Sequence, residues 1–178
     1  RSTDDGRRLT TLYDDADARL EALDLRPPQL ATFRTPDNVI LHAAVYCPSQ
    51  EDFGDGPFPT VVSVYGGPHA QRVQRSWSMT VDLRAQHLRE LGFLVLVVDN
   101  RGSARRGLAF EGKIKGNLGE IEVRDQVAGV AWVVQKGLAD PARVGVVGWS
   151  YGGYMATMCL AKAPSVFRAG VAGAPVTN

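Results

Sequence analysis

A serine becomes a nucleophile when the backbone presents its hydroxyl and a neighbouring group takes its proton. The stretch Gly148-Trp149-Ser150-Tyr151-Gly152-Gly153 has the residue types for presentation. An apolar run, Val144-Gly145-Val146-Val147, precedes it, and a stretch with helical spacing containing Tyr154, Met155, Ala156, Met158 and Leu160 follows. A strand that turns at once into a helix holds such a serine at its apex, in a strained conformation, at the carboxyl edge of a sheet. Gly148 and Gly152 stand two positions to either side of Ser150, where strand and helix come so close that a Cβ would collide. Ser150 then sits at a helix N-terminus, whose free N–H groups favour a developing oxyanion. The chemistry this pattern suits is acyl transfer.

The elements that must position this serine are also visible. Residues 60–65, 93–98, 144–148 and 169–174 are short apolar runs, as expected of parallel strands buried on both faces. Helical spacing lies between them: Val81, Ala85 and Leu88 share one face, and Val123, Val127, Val130, Ala131 and Val134 share another. This alternation predicts an α/β fold with a doubly wound, mostly parallel sheet. Residues 30–34 and 39–47 add an antiparallel N-terminal hairpin around Pro36-Asp37-Asn38. In its second strand Ile40, His42, Ala44 and Tyr46 alternate with Leu41, Ala43 and Val45, which predicts one solvated face. Residues 48–59, rich in Pro, Gly and acids, read as a surface loop.

Composition excludes several classes. The 178 residues suit one domain, and a net charge of +1 offers no footprint for nucleic acid. No apolar run is long enough to span a bilayer, and no apolar signal core opens the chain. Cys47 and Cys159 lack metal-ligand spacing and read as small core residues of a reduced protein, so neither a metal nor another cofactor is expected. The compartment stays open, with a cytoplasmic setting favoured. Asp5-Gly6 predicts a hairpin within residues 1–13, and residues 14–25 read as a helix ended by Pro27-Pro28. Residues 1–28 are therefore expected to be the end of a preceding domain and a linker, and residues 29–178 the N-terminal part of a catalytic domain. Because the chain opens on Arg1 and stops just after an apolar strand, it is expected to be a piece of a longer polypeptide.

Two further loops close predicted strands at the same edge. Tyr65-Gly66-Gly67-Pro68 stands where a second oxyanion donor is supplied in sheets of this kind. Asp99-Asn100-Arg101-Gly102-Ser103 reads as scaffolding, with Arg101 free to pair with Asp99 or with the acids of residues 120–125. These stretches, the Ser150 motif through Tyr154, and Gly173-Ala174-Pro175-Val176-Thr177 together resemble the hydrolase domain of the prolyl oligopeptidase family of serine peptidases, within its dipeptidyl peptidase IV branch. The resemblance runs over about residues 30–178. It implies an α/β-hydrolase fold, with Ser150 as nucleophile and with the Tyr151 backbone N–H and the Tyr65 phenol as the oxyanion hole. It implies too that the Tyr151 ring and Val176 wall a pocket for proline or alanine at the penultimate position of a peptide substrate. A flat apolar pocket suits a pyrrolidine ring, which has no N–H to satisfy. The family carries a β-propeller before the hydrolase domain, and residues 1–13 fit its last strand. A homodimer is an expectation for the full-length protein.

The order of catalytic residues in such folds is serine, acid, histidine. Residues 151–178 contain no Asp, Glu or His, so the base and its acid are expected beyond Asn178, and residues 1–178 alone are expected to be inactive. His42, His69 and His87 all precede Ser150. His42 or His69 with Asp99 would give a subtilisin-like order, although neither histidine opens a helix in a Gly-rich context. An acylaminoacyl peptidase, a carboxylesterase and a non-catalytic binding relative stay open as alternatives.

Overall fold

Branched aliphatic runs with nothing polar to solvate become the centre of a sheet covered on both faces. The computed structural model describes residues 1–11 and 18–177. In chain order the elements are α1 (Ala18–Glu21), β1 (Gln29–Arg34), β2 (Ile40–Tyr46), α2 (Gln50–Phe53), β3 (Phe58–Val64), α3 (Trp77–Thr80), α4 (Leu83–Glu90), β4 (Leu94–Asp99), α5 (Leu108–Glu111), a single 3-10 turn (Gly112–Ile114), α6 (Ile121–Gln135), β5 (Ala139–Trp149), α7 (Tyr151–Lys162) and β6 (Ala169–Gly173). The strands lie side by side in the order β1-β2-β4-β3-β5-β6. β2 runs antiparallel to both its neighbours, β1 and β4, while β4, β3, β5 and β6 are mutually parallel. The fold is thus the expected α/β sheet with an antiparallel N-terminal hairpin.

The pleat divides the core in two. Leu94, Leu96 and Val98 of β4 join Leu41, Ala43 and Val45 of β2 under α6 and α7. Val95 and Val97 join Ala44 and Tyr46 on the opposite face, with Met79 and Ala85. That second cluster corrects the expectation of a solvated face on β2. Only Ile40 and His42, at the strand's start, stay open, because α3 and α4 cover the rest. The Tyr46 hydroxyl donates to the Met79 carbonyl at 2.6 Å, and burial pushes its pKa up to about 12.

Other expectations change in detail. Residues 48–59 contain the one-turn helix α2 and already enter β3 at Phe58. Val81 lies in the turn between α3 and α4 rather than on one helical face with Ala85 and Leu88. β5 begins at Ala139, ahead of the apolar run, because Phe58 pairs with Ala139 before a break in register lets Thr60 meet Val144. β6, expected to be buried on both faces, is largely exposed, with Val171 at 65%. Among the described residues it pairs with β5 alone. Residues 3–5 form a turn closed by Ser2 and Arg7, which exchange a backbone hydrogen bond of 2.8 Å, and no strand forms among the described residues of that segment. The Asp5 carboxylate accepts from the Arg7 N–H instead. Of the helix expected at 14–25, residues 14–17 fall outside the described residues; among the described ones only α1 (Ala18–Glu21) is helical, and residues 22–24 form a turn. Residues 24–26 dock on α4: Gln86 donates to the Arg26 carbonyl at 2.7 Å and Arg89 to the Asp24 carbonyl at 3.1 Å.

Candidate active site

Three parallel strands, β3, β5 and β6, end side by side, and each delivers one piece of the site. β5 runs into α7 with one residue between them. That residue, Ser150, has φ 57° and ψ −120°, a conformation costing a non-glycine residue about 1–3 kcal/mol. The surrounding contacts explain why it persists. A Cβ on Gly148 would lie 2.0 Å from the Gly152 carbonyl oxygen, and one on Gly152 would lie 2.4 Å from that of Val64. Both obstacles are backbone, so no rotamer change relieves them. The Ser150 N–H donates to the Gly173 carbonyl at 2.9 Å, which clamps the turn to the end of β6. Tyr151 opens α7, and the N–H of a first helical residue has no intrahelical acceptor.

The other expected site residues gather round this turn. Val176 follows β6 and donates its N–H to the Ser150 carbonyl at 3.4 Å, with 45% of its surface exposed. Tyr65 directly follows β3, and its ring centroid lies 6.2 Å from that of Tyr151. Between them is Gly67, where a Cβ would come within 2.7 Å of the Tyr151 ring and 3.1 Å of the Tyr65 ring. Ser150, Tyr65, Tyr151 and Val176 therefore share one edge. A serine at a strained apex and at a helix N-terminus, on the same sheet edge as a tyrosine, has the residue types that can hold a tetrahedral oxyanion.

The histidines lie elsewhere. His69 has φ 60° and pairs through Nδ1 with Glu111 at 2.6 Å, its side chain 88% exposed. His42 stands opposite Asp99 across β2 and β4, and His87 lies in the last turn of α4. Both Asp99 oxygens are taken by backbone, accepting from Arg72 at 2.9 Å and Val73 at 3.0 Å. Burial pushes the Asp99 carboxyl up while those N–H groups pull it down. Asp99 thus anchors the loop beyond Tyr65 rather than orienting a histidine. Burial also raises both thiols, Cys159 to about 12, which leaves each an inert core residue at neutral pH.

The loop after β4 is scaffolding, as expected; of the two partners open to Arg101 it takes the acidic stretch, through Asp125, and it adds one that the sequence did not suggest, Asp37. It forks onto Asp125, with bonds of 2.6 to 3.2 Å, and onto Asp37 of the β1–β2 turn, and it makes no bond to Asp99. Arg101 is 6% exposed and Asp125 is fully buried. Removing one partner of such a pair strands the other, at a cost of about 3–5 kcal/mol. Arg101→Ala should accordingly lower unfolding free energy by about that much in urea titrations. Its hydrogen bonds, with help from Thr35, hold the Asp37 carboxyl at about 2 against an ordinary 3.8. A depressed carboxylate stabilises the fold above its unfolded value and loses that contribution as pH falls through its folded value. Arg101→Ala should therefore also flatten the acid limb of stability between pH of about 4 and 2.

Sequence reasoning missed what α6 does. Val123 and Val130 of the aliphatic stripe are buried as expected, with Val127 and Val134 half-buried and Ala131 exposed, but the buried face extends further, to Glu122, Asp125, Gln126, Gly129 and Val133. The three polar residues each hold one site loop. Glu122 accepts from the Tyr151 hydroxyl at 2.8 Å, and Asp125 holds Arg101. Gln126 donates to the Asn100 side chain at 2.8 Å, and Asn100 donates to the Gly66 carbonyl at 3.0 Å. The available signal was the i, i+3, i+4 spacing of Glu122, Asp125 and Gln126, which puts all three on one side of a helix.

A nucleophile-elbow turn in a doubly wound sheet places the chain in the α/β-hydrolase class of folds. The chain belongs to the prolyl oligopeptidase family, whose model matches residues 79–178. It is similar to dipeptidyl peptidase 8 of Mus musculus, 41% identical over 155 residues that cover 86% of this chain and 17% of that protein. The human dipeptidyl peptidase 8 matches with the same identity and coverage. The mouse prolyl endopeptidase FAP is 35% identical over 121 residues, which cover 68% of this chain and 16% of that protein. The chain thus spans about a sixth of the length of these relatives. Among the described residues no helix is long and apolar enough to cross a membrane.

Proposed function

We propose that this chain is the nucleophile-bearing part of a serine peptidase that releases N-terminal dipeptides with proline or alanine at the penultimate position. The observation that carries the proposal is the backbone of Ser150, kept at positive φ by Gly148 and Gly152, which are pressed against main chain. Strain of this kind persists only where the surroundings over-determine it, and it collects at reacting groups. In this reading Ser150 attacks the peptide carbonyl while a histidine, oriented by an acid, takes its proton; both lie outside residues 1–178. The carbonyl oxygen becomes an oxyanion held by the Tyr151 N–H and the Tyr65 phenol. Collapse of the tetrahedral centre expels the amine and leaves an acyl-enzyme, which water cleaves. The Tyr151 ring and Val176 supply apolar walls for the penultimate side chain. Residues 1–178 alone, lacking the base, are inactive, and residues 1–28 belong to a preceding domain and linker.

The dipeptidyl specificity is supported by likeness to relatives named dipeptidyl peptidases and dipeptidyl-aminopeptidases. The test compares three substrates on the full-length protein: a glycyl-proline amide with a free amine, its N-acetylated counterpart, and a simple aryl ester. The proposal expects the free-amine amide to be turned over with the highest kcat/KM. Preference for the acetylated amide points to an acylaminoacyl peptidase, preference for the ester to a carboxylesterase, and no turnover of any to a binding relative. Each of those results contradicts the dipeptidyl reading.

A further inference from the structure

We propose that Glu122 is a positioning residue for the site, acting through the Tyr151 hydroxyl; the inference rests on the reading of Ser150 as nucleophile. Glu122 lies one residue into α6 and is completely buried. Its Oε1 accepts from the Tyr151 hydroxyl at 2.8 Å and from the Gly119 N–H at 3.0 Å, and its Oε2 accepts from the same N–H at 3.0 Å. None of these partners is a cation. A carboxyl group kept from water is costly to bury, and an apolar side chain would fill the space at lower cost. What an apolar side chain lacks is the acceptor for Tyr151.

The Tyr151 ring is placed to need that acceptor. It is half-buried, with the Tyr65 ring at 6.2 Å and the Tyr154 ring at 5.3 Å, and it lies close against Gly67 of the Tyr65 loop. Its backbone N–H and its ring carry two roles in the proposed chemistry, so movement at the phenol end is felt at both. Burial raises the Tyr151 hydroxyl's pKa, and the bond to Glu122 raises it further, which keeps it protonated as the donor. The Gly119 end is fixed as well. The Tyr154 hydroxyl donates to the Leu118 carbonyl at 3.1 Å, and a Cβ on Gly119 would lie 2.6 Å from that hydroxyl oxygen. Glu122 thus ties the residue after the nucleophile to a loop that α7 itself holds down, and catalytic geometry is sensitive to shifts of this kind.

The test is a double-mutant cycle in the full-length protein, which cancels effects of Glu122 that do not pass through Tyr151. Glu122→Met removes both acceptors at similar volume, and Glu122→Leu removes them with a stiffer, shorter side chain if the first variant fails to fold. Tyr151→Phe removes only the hydroxyl. Each single variant should lower kcat/KM for a glycyl-proline amide by about 10-fold, as should the rate constant for fluorophosphonate labelling. The double variant should be no worse than either single one, because the phenol is already absent. Multiplicative losses approaching about 100-fold, or a Tyr151→Phe enzyme with wild-type rates, overturn the inference while leaving Ser150's role intact. A wild type that is neither active nor labelled overturns the reading of the site and this inference with it.

Discussion

Replacing Ser150 by alanine in the full-length protein is expected to cut kcat on a glycyl-proline amide by about 10⁴-fold or more, with little change in KM or thermal stability. The size of the loss follows from covalent catalysis. Without the hydroxyl no acyl-enzyme forms, and the oxyanion hole and the substrate pocket retain only their own modest rate enhancement. Stability is spared because the contacts that hold the apex are made by main chain, the Ser150 N–H to Gly173 and its carbonyl to Tyr154 and Val176, and alanine keeps them all. Alanine is strained at φ 57° to much the same degree as serine. A variant that kept a tenth of the activity would place the nucleophile elsewhere.

Tyr65→Phe is the next largest effect. Loss of one oxyanion donor typically costs about 10²–10³ in kcat, because the donor acts on charge that develops only in the transition state. KM should stay within about two-fold, since the ground-state carbonyl gains little from that donor. The ring remains to pack beside Gly67 and Tyr151, so steady-state kinetics of a folded variant report the hydroxyl alone. If Tyr65 is only a packing residue, Tyr65→Phe leaves kcat unchanged.

What the sequence disclosed was whatever rests on neighbours in the chain. The Ser150 turn was legible because Gly148 answers a local collision, 2.0 Å from the Gly152 carbonyl oxygen, whereas the obstacle at Gly152, the Val64 carbonyl oxygen at 2.4 Å, comes from the neighbouring strand β3. The core strands were legible because runs such as 94–98 are apolar on both faces and have two clusters to fill. Tyr65, Tyr151 and Val176 were named from motif likeness, and the sheet order brings them to one edge because β3, β5 and β6 are adjacent and parallel.

Legibility failed where tertiary partners overrode local pattern. A glutamate such as Glu122 reads as the solvated side of a helix, and only the approach of Tyr151 and the Gly119 loop makes it an interior residue. The same holds for Arg101, whose second partner, Asp37, lies 64 residues away in sequence. Val171 and its neighbours look like a buried strand by composition, yet burial depends on what packs above them, which an apolar run does not encode. Asp99 looked available to a histidine because its backbone ligands, Arg72 and Val73, carry no signal in their side chains.

The central claim is that Ser150 is the nucleophile, and the measurement that tests it most directly is the site of covalent modification. The full-length protein, treated with a fluorophosphonate at neutral pH and digested, should yield one modified peptide by mass spectrometry, with the adduct on Ser150 and none in the Ser150→Ala variant. Inhibition should track that adduct one to one. An active enzyme that loses its activity while the adduct lies on another residue, or that resists the reagent with Ser150 unmodified, would contradict the account.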